Sequence, residues 1–185
     1  YSYSGIYDVA ATQPHTRVGA WFLDNTMHHS VRARADDIEV PEDLQQRVTR
    51  GAEHFRETCV PCHGAPGTHG EAGGDMRPEP PPLRAAAEEW EPNEVFWIVK
   101  HGIKMTAMPS FAALHSDDEI WDIVAFVEQL PDMSPERYAQ LTGSGTPDVR
   151  HSVFGREDPE QVKSDPEVTL PNTEKPAEKD QSGRQ

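Results

Sequence analysis

Nowhere do the 185 residues supply the 18 or more consecutive apolar positions that a membrane-spanning helix needs. Basic residues are scarce too: 17 Lys and Arg stand against 32 Asp and Glu, a formal charge of -15. So acidic a surface is a poor match for nucleic acid and for anionic lipid, which reward clustered Lys and Arg, and leaves two readings open: steering toward a basic protein partner, or a charge that only keeps the chain soluble. There are only two cysteines, so no second pair completes a four-ligand structural zinc cage. No Ser-His-Asp grouping, phosphate-binding Gly loop or paired catalytic carboxylates stand out, which removes the commonest hydrolytic and nucleotide-dependent chemistries. Apolar residues amount to only 35%, against 17 Pro and 13 Gly. A single core with loose ends is therefore the expectation.

What is present is mostly helical patterning. From Pro41 onward, Leu44, Val48, Gly51, Phe55 and Cys59 recur at steps of four, three, four and four, one face of a helix that starts near Pro41 with Glu42 and Asp43 at its positive end. The Gly- and Pro-rich stretch from Gly64 to Pro82 reads as loop. A second helix is expected over Pro92 to His101, with Val95, Phe96, Ile98 and Val99 inside and Gly102 ending it. The third opens on Ser116-Asp117-Asp118-Glu119, a capping box, presents Ile120, Ile123, Val124, Val127 and Leu130 to the core, and stops at Pro131. Trp21 to Ala35 holds part of a short helix, and Glu136 to Leu141 another helical piece. The expected organisation is an N-terminal extension 1–40, a main domain 41–131 and a C-terminal extension 132–185. Residues 156 to 185 carry eight acids, five bases and almost no apolar anchors, so disorder is expected beyond about 155.

The chemistry concentrates at Cys59-Val60-Pro61-Cys62-His63. In C-x-x-C-H, each thiol adds to one vinyl group on the same porphyrin edge while the following imidazole rises to the iron. A redox-active thiol pair would want a βαβ setting, whereas this passage reads as helix. One covalently bound haem c is thus expected, with Cys59, Cys62 and His63 holding it and His63 as iron ligand. An electron carrier wants a second axial ligand, and a soft thioether favours ferrous iron. Met105 and Met108 both stand in the loop after the second helix; Met108 is preferred, because Pro109 holds it extended and lets it point inward. The other histidines, among them His54, His69, His101, His115 and His151, have no metal-ligand spacing and read as solvated, with His15 or the His28-His29 pair as alternative axial ligands.

These residues resemble the class I c-type cytochromes, particularly bacterial single-haem ones with a Met-Pro loop. Gly51, Phe55, Cys59, Cys62 and His63 look like that family's first helix. Lys100-His101-Gly102-Ile103-Lys104-Met105-Thr106-Ala107-Met108-Pro109-Ser110-Phe111 looks like its ligand loop, and Trp121 and Phe126 match its last-helix aromatics. The resemblance covers roughly residues 41 to 131 and implies an all-α cytochrome c fold, three main helices around one covalently bound haem, with extended termini. It implies that Gly51 lets the first and last helices cross closely. It also implies that a Pro carbonyl accepts a hydrogen bond from the proximal His: Pro81 looks like that position, with Pro80 and Pro82 as alternatives in a Pro-crowded insertion. Phe55, Trp97, Trp121 and Phe126 are then candidates for packing near the ring, with Trp90 a further one.

The function this implies is one-electron transfer between redox proteins, a donor dehydrogenase or oxidoreductase and an acceptor oxidase or cytochrome, without catalysis by the chain itself. The alternatives are a haem enzyme or ligand sensor with an exchangeable sixth site, and a structural haem domain of a larger assembly. Haem is attached after export, so the expected location is the periplasm. The start at Tyr1 without Met leads us to expect a leader or membrane anchor upstream. Tyr3 to Ala11, with His15, Met27 and Ser30-Val31, is similar to the start of bacterial cytochromes that follow a membrane helix.

Overall fold

The computed structural model describes residues 3–143. The described residues form seven α-helices and no strand: α1 Arg17–Ala35, α2 Val48–Thr58, α3 Val60–His63, α4 Leu83–Glu89, α5 Pro92–His101, α6 Asp117–Val127 and α7 Pro135–Thr142. The expected disordered stretch beyond about 155 lies outside the described residues.

The organising contact is the crossing of α2 over α6. Leu44, Gly51, Phe55 and Cys59 all turn inward, as their spacing demands, and Phe55 is wholly buried. Facing them, α6 is buried from Ile120 to Val127, with Ile120, Ile123, Val124 and Phe126 at 0% exposure. Gly51 sets the closeness of approach, since a Cβ there would stand 1.8 Å from the Asp122 carbonyl oxygen and 3.0 Å from Phe126 Cβ. Phe55 and Phe126 meet at a centroid distance of 4.8 Å, and Tyr138 of α7 closes on both edge-on at 6.2 Å. Polar contacts lock the crossing from outside: the Arg50 guanidinium grips Asp122 through two 3.0 Å bonds, and Arg47 bonds Asp43 at 2.9 Å and Asp118 at 3.1 Å.

Two boundaries differ from the sequence expectation. Helix α2 starts at Val48 rather than near Pro41: Leu44, Gln46 and Arg47 donate to residues three back, giving a tight turn at Leu44–Gln46 instead of an α ladder. The last main helix ends at Val127 rather than Pro131: the Gln129 N–H already bonds three back, to the Phe126 carbonyl at 3.1 Å, so the α ladder tightens before the proline is reached. The chain continues as a second tight turn, Leu130–Asp132, with Leu130 still in the core.

Around this pair the other helices pack by their apolar faces. The α5 helix spans Pro92–His101, opens on a reciprocal Glu91–Glu94 capping box and closes at Gly102, whose φ of +68° suits glycine. Helix α1, longer than the segment its incomplete apolar stripe suggests, starts at a Thr16 cap and lies against α5, burying Val31 and Ala35. Its end is tied down by Asn93 Nδ2 donating to the Ala35 carbonyl at 2.8 Å. Helix α4 follows the triple proline, whose Pro82 caps a run of helix-forming residues. The Gly64 to Pro82 stretch is mostly irregular as expected, with one 3-10 turn at Gly73–Asp75.

Candidate cofactor site

The end of α2 and the single turn of α3 carry the two thiols and the imidazole. Cys59 caps α2, its N–H donating to the Phe55 carbonyl at 2.9 Å; its own carbonyl accepts from Cys62 N at 3.2 Å and His63 N at 2.9 Å. Gly64 then turns the chain away at φ +74°. Both cysteines are free thiols, Cys59 buried and Cys62 half-buried. Burial pushes the Cys59 thiol up to about 11, with only a weak opposing bond from Thr58. A thiol held neutral is a poor nucleophile for disulfide exchange, which argues against a redox dithiol.

The imidazole of His63 is fixed from behind, its Nδ1 donating to the Pro81 carbonyl at 2.8 Å. That bond places the ring proton on Nδ1 and leaves the Nε2 lone pair for a metal. Burial draws the ring's pKa below its ordinary 6.5, and the Pro81 bond opposes this only in part, so His63 is neutral at physiological pH, the form that ligates iron. Of the three consecutive prolines it is Pro81 that His63 reaches. A cleft of about 470 Å³ opens here, bounded by Cys62, His63, Gly73, Glu79 and Pro80 to Pro82. His69 lines the same cleft. Its nearness to His63 is set by the turn in which Ala65 and Thr68 exchange backbone bonds of 3.1 and 2.8 Å, and no ligand spacing in the sequence signals it.

The methionine candidates separate clearly. Met108 is half-buried and packs against the apolar core, whereas Met105 is 76% exposed and sits at a φ of +62°. The aromatic candidates divide too. Phe55 and Phe126 face each other within the core, Trp121 stacks on Phe96 at 4.2 Å, and Trp97 lies at the core margin, tilted over His101 at 4.8 Å. Trp90 is covered by His28, stacked at 4.4 Å, and by the Arg32 guanidinium at 5.7 Å. His15 bonds the Tyr7 hydroxyl at 2.7 Å, and His54 meets His115 edge-on at 5.3 Å. Among the described residues no group of three or more His, Cys, Asp or Glu is placed to hold a metal ion.

The donor set fits a haem c: two free thiols three residues apart, a neutral imidazole oriented by a carbonyl, an adjoining cleft, and a thioether on a separate loop. An all-α fold with such a site is consistent with a class I c-type cytochrome domain, an electron-transfer haem module. Residues 46–127 match the family described as "Cytochrome C oxidase, cbb3-type, subunit III". Comparison with curated proteins and with solved structures gave no match.

Proposed function

We propose that this protein is a single-haem electron carrier of the periplasm, with one haem c bound through thioethers to Cys59 and Cys62. His63 serves as proximal ligand, Met108 as the sixth ligand, and Pro81 as the acceptor that orients His63. The bound haem supplies a one-electron ferric/ferrous couple. The chain's own part is to hold the imidazole neutral and oriented, to keep the Cys59 sulfur and the aromatic core dry, and to offer a thioether from the Met108 loop. The observation that carries this is the His63–Pro81 bond directly after two free thiols, because it readies the imidazole for iron.

The family match supports redox protein partners; in this reading the acceptor is a terminal oxidase and the donor a dehydrogenase or other oxidoreductase. An acidic chain favours a basic docking surface on that partner. A membrane helix upstream of Tyr1 would keep the carrier beside it.

The test is a ligand titration of the holoprotein. With six ligands in place, the ferrous form binds carbon monoxide weakly, the ferric form binds cyanide weakly, and the haem titrates reversibly with one electron. Prompt, tight binding of both ligands with peroxide turnover would instead mark a haem enzyme or sensor with an open sixth site.

A further inference from the structure

The loop between α5 and α6 carries Met108 on a ring of hydrogen bonds, and Thr106 sits at its centre. The Thr106 hydroxyl donates to the Ile103 carbonyl at 2.8 Å and accepts from the Met108 N–H at 3.1 Å. The Thr106 N–H points to the same carbonyl at 3.3 Å, and the Ile103 N–H returns to the Met108 carbonyl at 3.2 Å. Both backbone groups of Met108 are therefore used inside the loop. The ring is clamped against the end of α5, where a Cβ on Gly102 would stand 2.7 Å from the Met108 oxygen and 2.6 Å from the Pro109 carbonyl carbon. Beyond Pro109, Ser110 Oγ donates to the Lys100 carbonyl at 2.7 Å, so the loop is pinned on both sides of Met108. Pro109 has no N–H, so the only amide that can fix the chain at the ligand position is that of Met108, and Thr106 is its sole acceptor among the described bonds.

We infer that Thr106 is a positioning residue for the sixth ligand: its hydroxyl fixes the Met108 backbone, and with it the place from which the thioether is offered. This rests on Met108 being that ligand. The geometry gives the hydroxyl two jobs at once, donor to Ile103 and acceptor from Met108, which valine matches in shape but cannot perform. Without it the Met108 amide loses its partner, the loop gains alternative conformations, and a thioether bond that depends on placement weakens.

The test uses the holoprotein and two readouts that overall fold does not move: the far-red absorption of sulfur-ligated ferric haem, and the apparent affinity for added imidazole, which competes with the thioether. Thr106→Val should lose much of the far-red band and bind imidazole roughly tenfold more tightly, the change expected for one lost internal hydrogen bond. Thr106→Ser should restore both toward the native values. Should the Val protein not fold, Thr106→Ala serves in its place. A Val or Ala variant with native band and native imidazole affinity overturns the inference. Met108→Leu separates the two levels: loss of the band there with an unchanged Thr106 variant sinks the positioning role alone, whereas a band that survives in Met108→Leu and vanishes in Met105→Leu sinks the ligand assignment beneath it.

Discussion

The α2–α6 crossing and the two loops that present the ligands are built on opposite principles. At the crossing, position is set many times over, by Phe55, Phe126, Ile120, Ile123, Val124 and Tyr138 in one buried cluster, by a glycine that admits no side chain, and by the Arg47–Arg50–Asp122 network. In the loops, a few hydrogen bonds carry the placement: His63 Nδ1 to Pro81, and around Met108 those from its N–H to Thr106 and from the Ile103 N–H to its carbonyl. The crossing therefore governs whether the protein folds, and the loops govern how the iron would be held. Substitutions at the first should change stability and leave the visible spectrum of the surviving fold alone, and those at the second should do the reverse.

Gly51→Ala is the sharpest break. Its methyl would meet the Asp122 carbonyl oxygen at 1.8 Å, so the helices must separate, at a cost of at least about 3 kcal/mol by chemical denaturation. Gly74→Ala in the loop is the matched control: nothing lies within 4 Å of the added methyl, and its effect should stay within about 0.5 kcal/mol. Asp122→Ala comes next. Asp122 is 6% exposed, and its loss leaves Arg50 and Arg47 without their shared anion, destabilising by about 1–2 kcal/mol once the solvent exposure of Arg50 is allowed for. Equal effects of Gly51→Ala and Gly74→Ala would erase the contrast.

The smallest effects lie at the two ends of α6 and have opposite signs. Glu119 accepts from the Ser116 backbone N–H at 2.7 Å and hydroxyl at 2.8 Å, which holds its carboxyl below the ordinary 4.5. Its contribution is in full force above that ordinary value and is lost as pH falls through the lowered one, so Glu119→Gln should flatten the acid limb of the thermal-stability profile. Glu128, at the C-terminal cap, is raised above 4.5 by burial and by the charge of Glu91, and one of its carboxylate oxygens has no hydrogen-bond partner. Here ionisation costs stability once pH exceeds the raised value. Glu128→Gln should lift the melting temperature at neutral pH by about 1–2 °C, with the gain vanishing below pH 4.5.

Much of this arrangement can be read from residue order, and the exceptions have physical causes. The ends of α5 follow from Pro92 and Gly102, and the start of α6 from the Ser116–Glu119 box, because each is a local backbone demand that one residue type satisfies. The start of α2 does not follow, since Leu44 keeps the helical spacing while its backbone makes a tighter turn, and side-chain periodicity does not distinguish the two. Helix α4 is hidden behind three prolines that read as loop, although Leu83-Arg84-Ala85-Ala86-Ala87 is a run of strong helix formers. At the site, the thiols and His63 are visible as a contiguous motif. His69 in the same cleft and Thr106 beneath Met108 depend on how loops fold back, which no spacing rule encodes.

The central claim is a covalent bond between this chain and a porphyrin. Mass spectrometry after acid-acetone extraction, on protein matured in a host that attaches haem c, tests it most directly. The account predicts that the native chain keeps the mass of one haem and that the Cys59→Ala, Cys62→Ala double variant keeps none. A native chain that emerges at its bare polypeptide mass would contradict it.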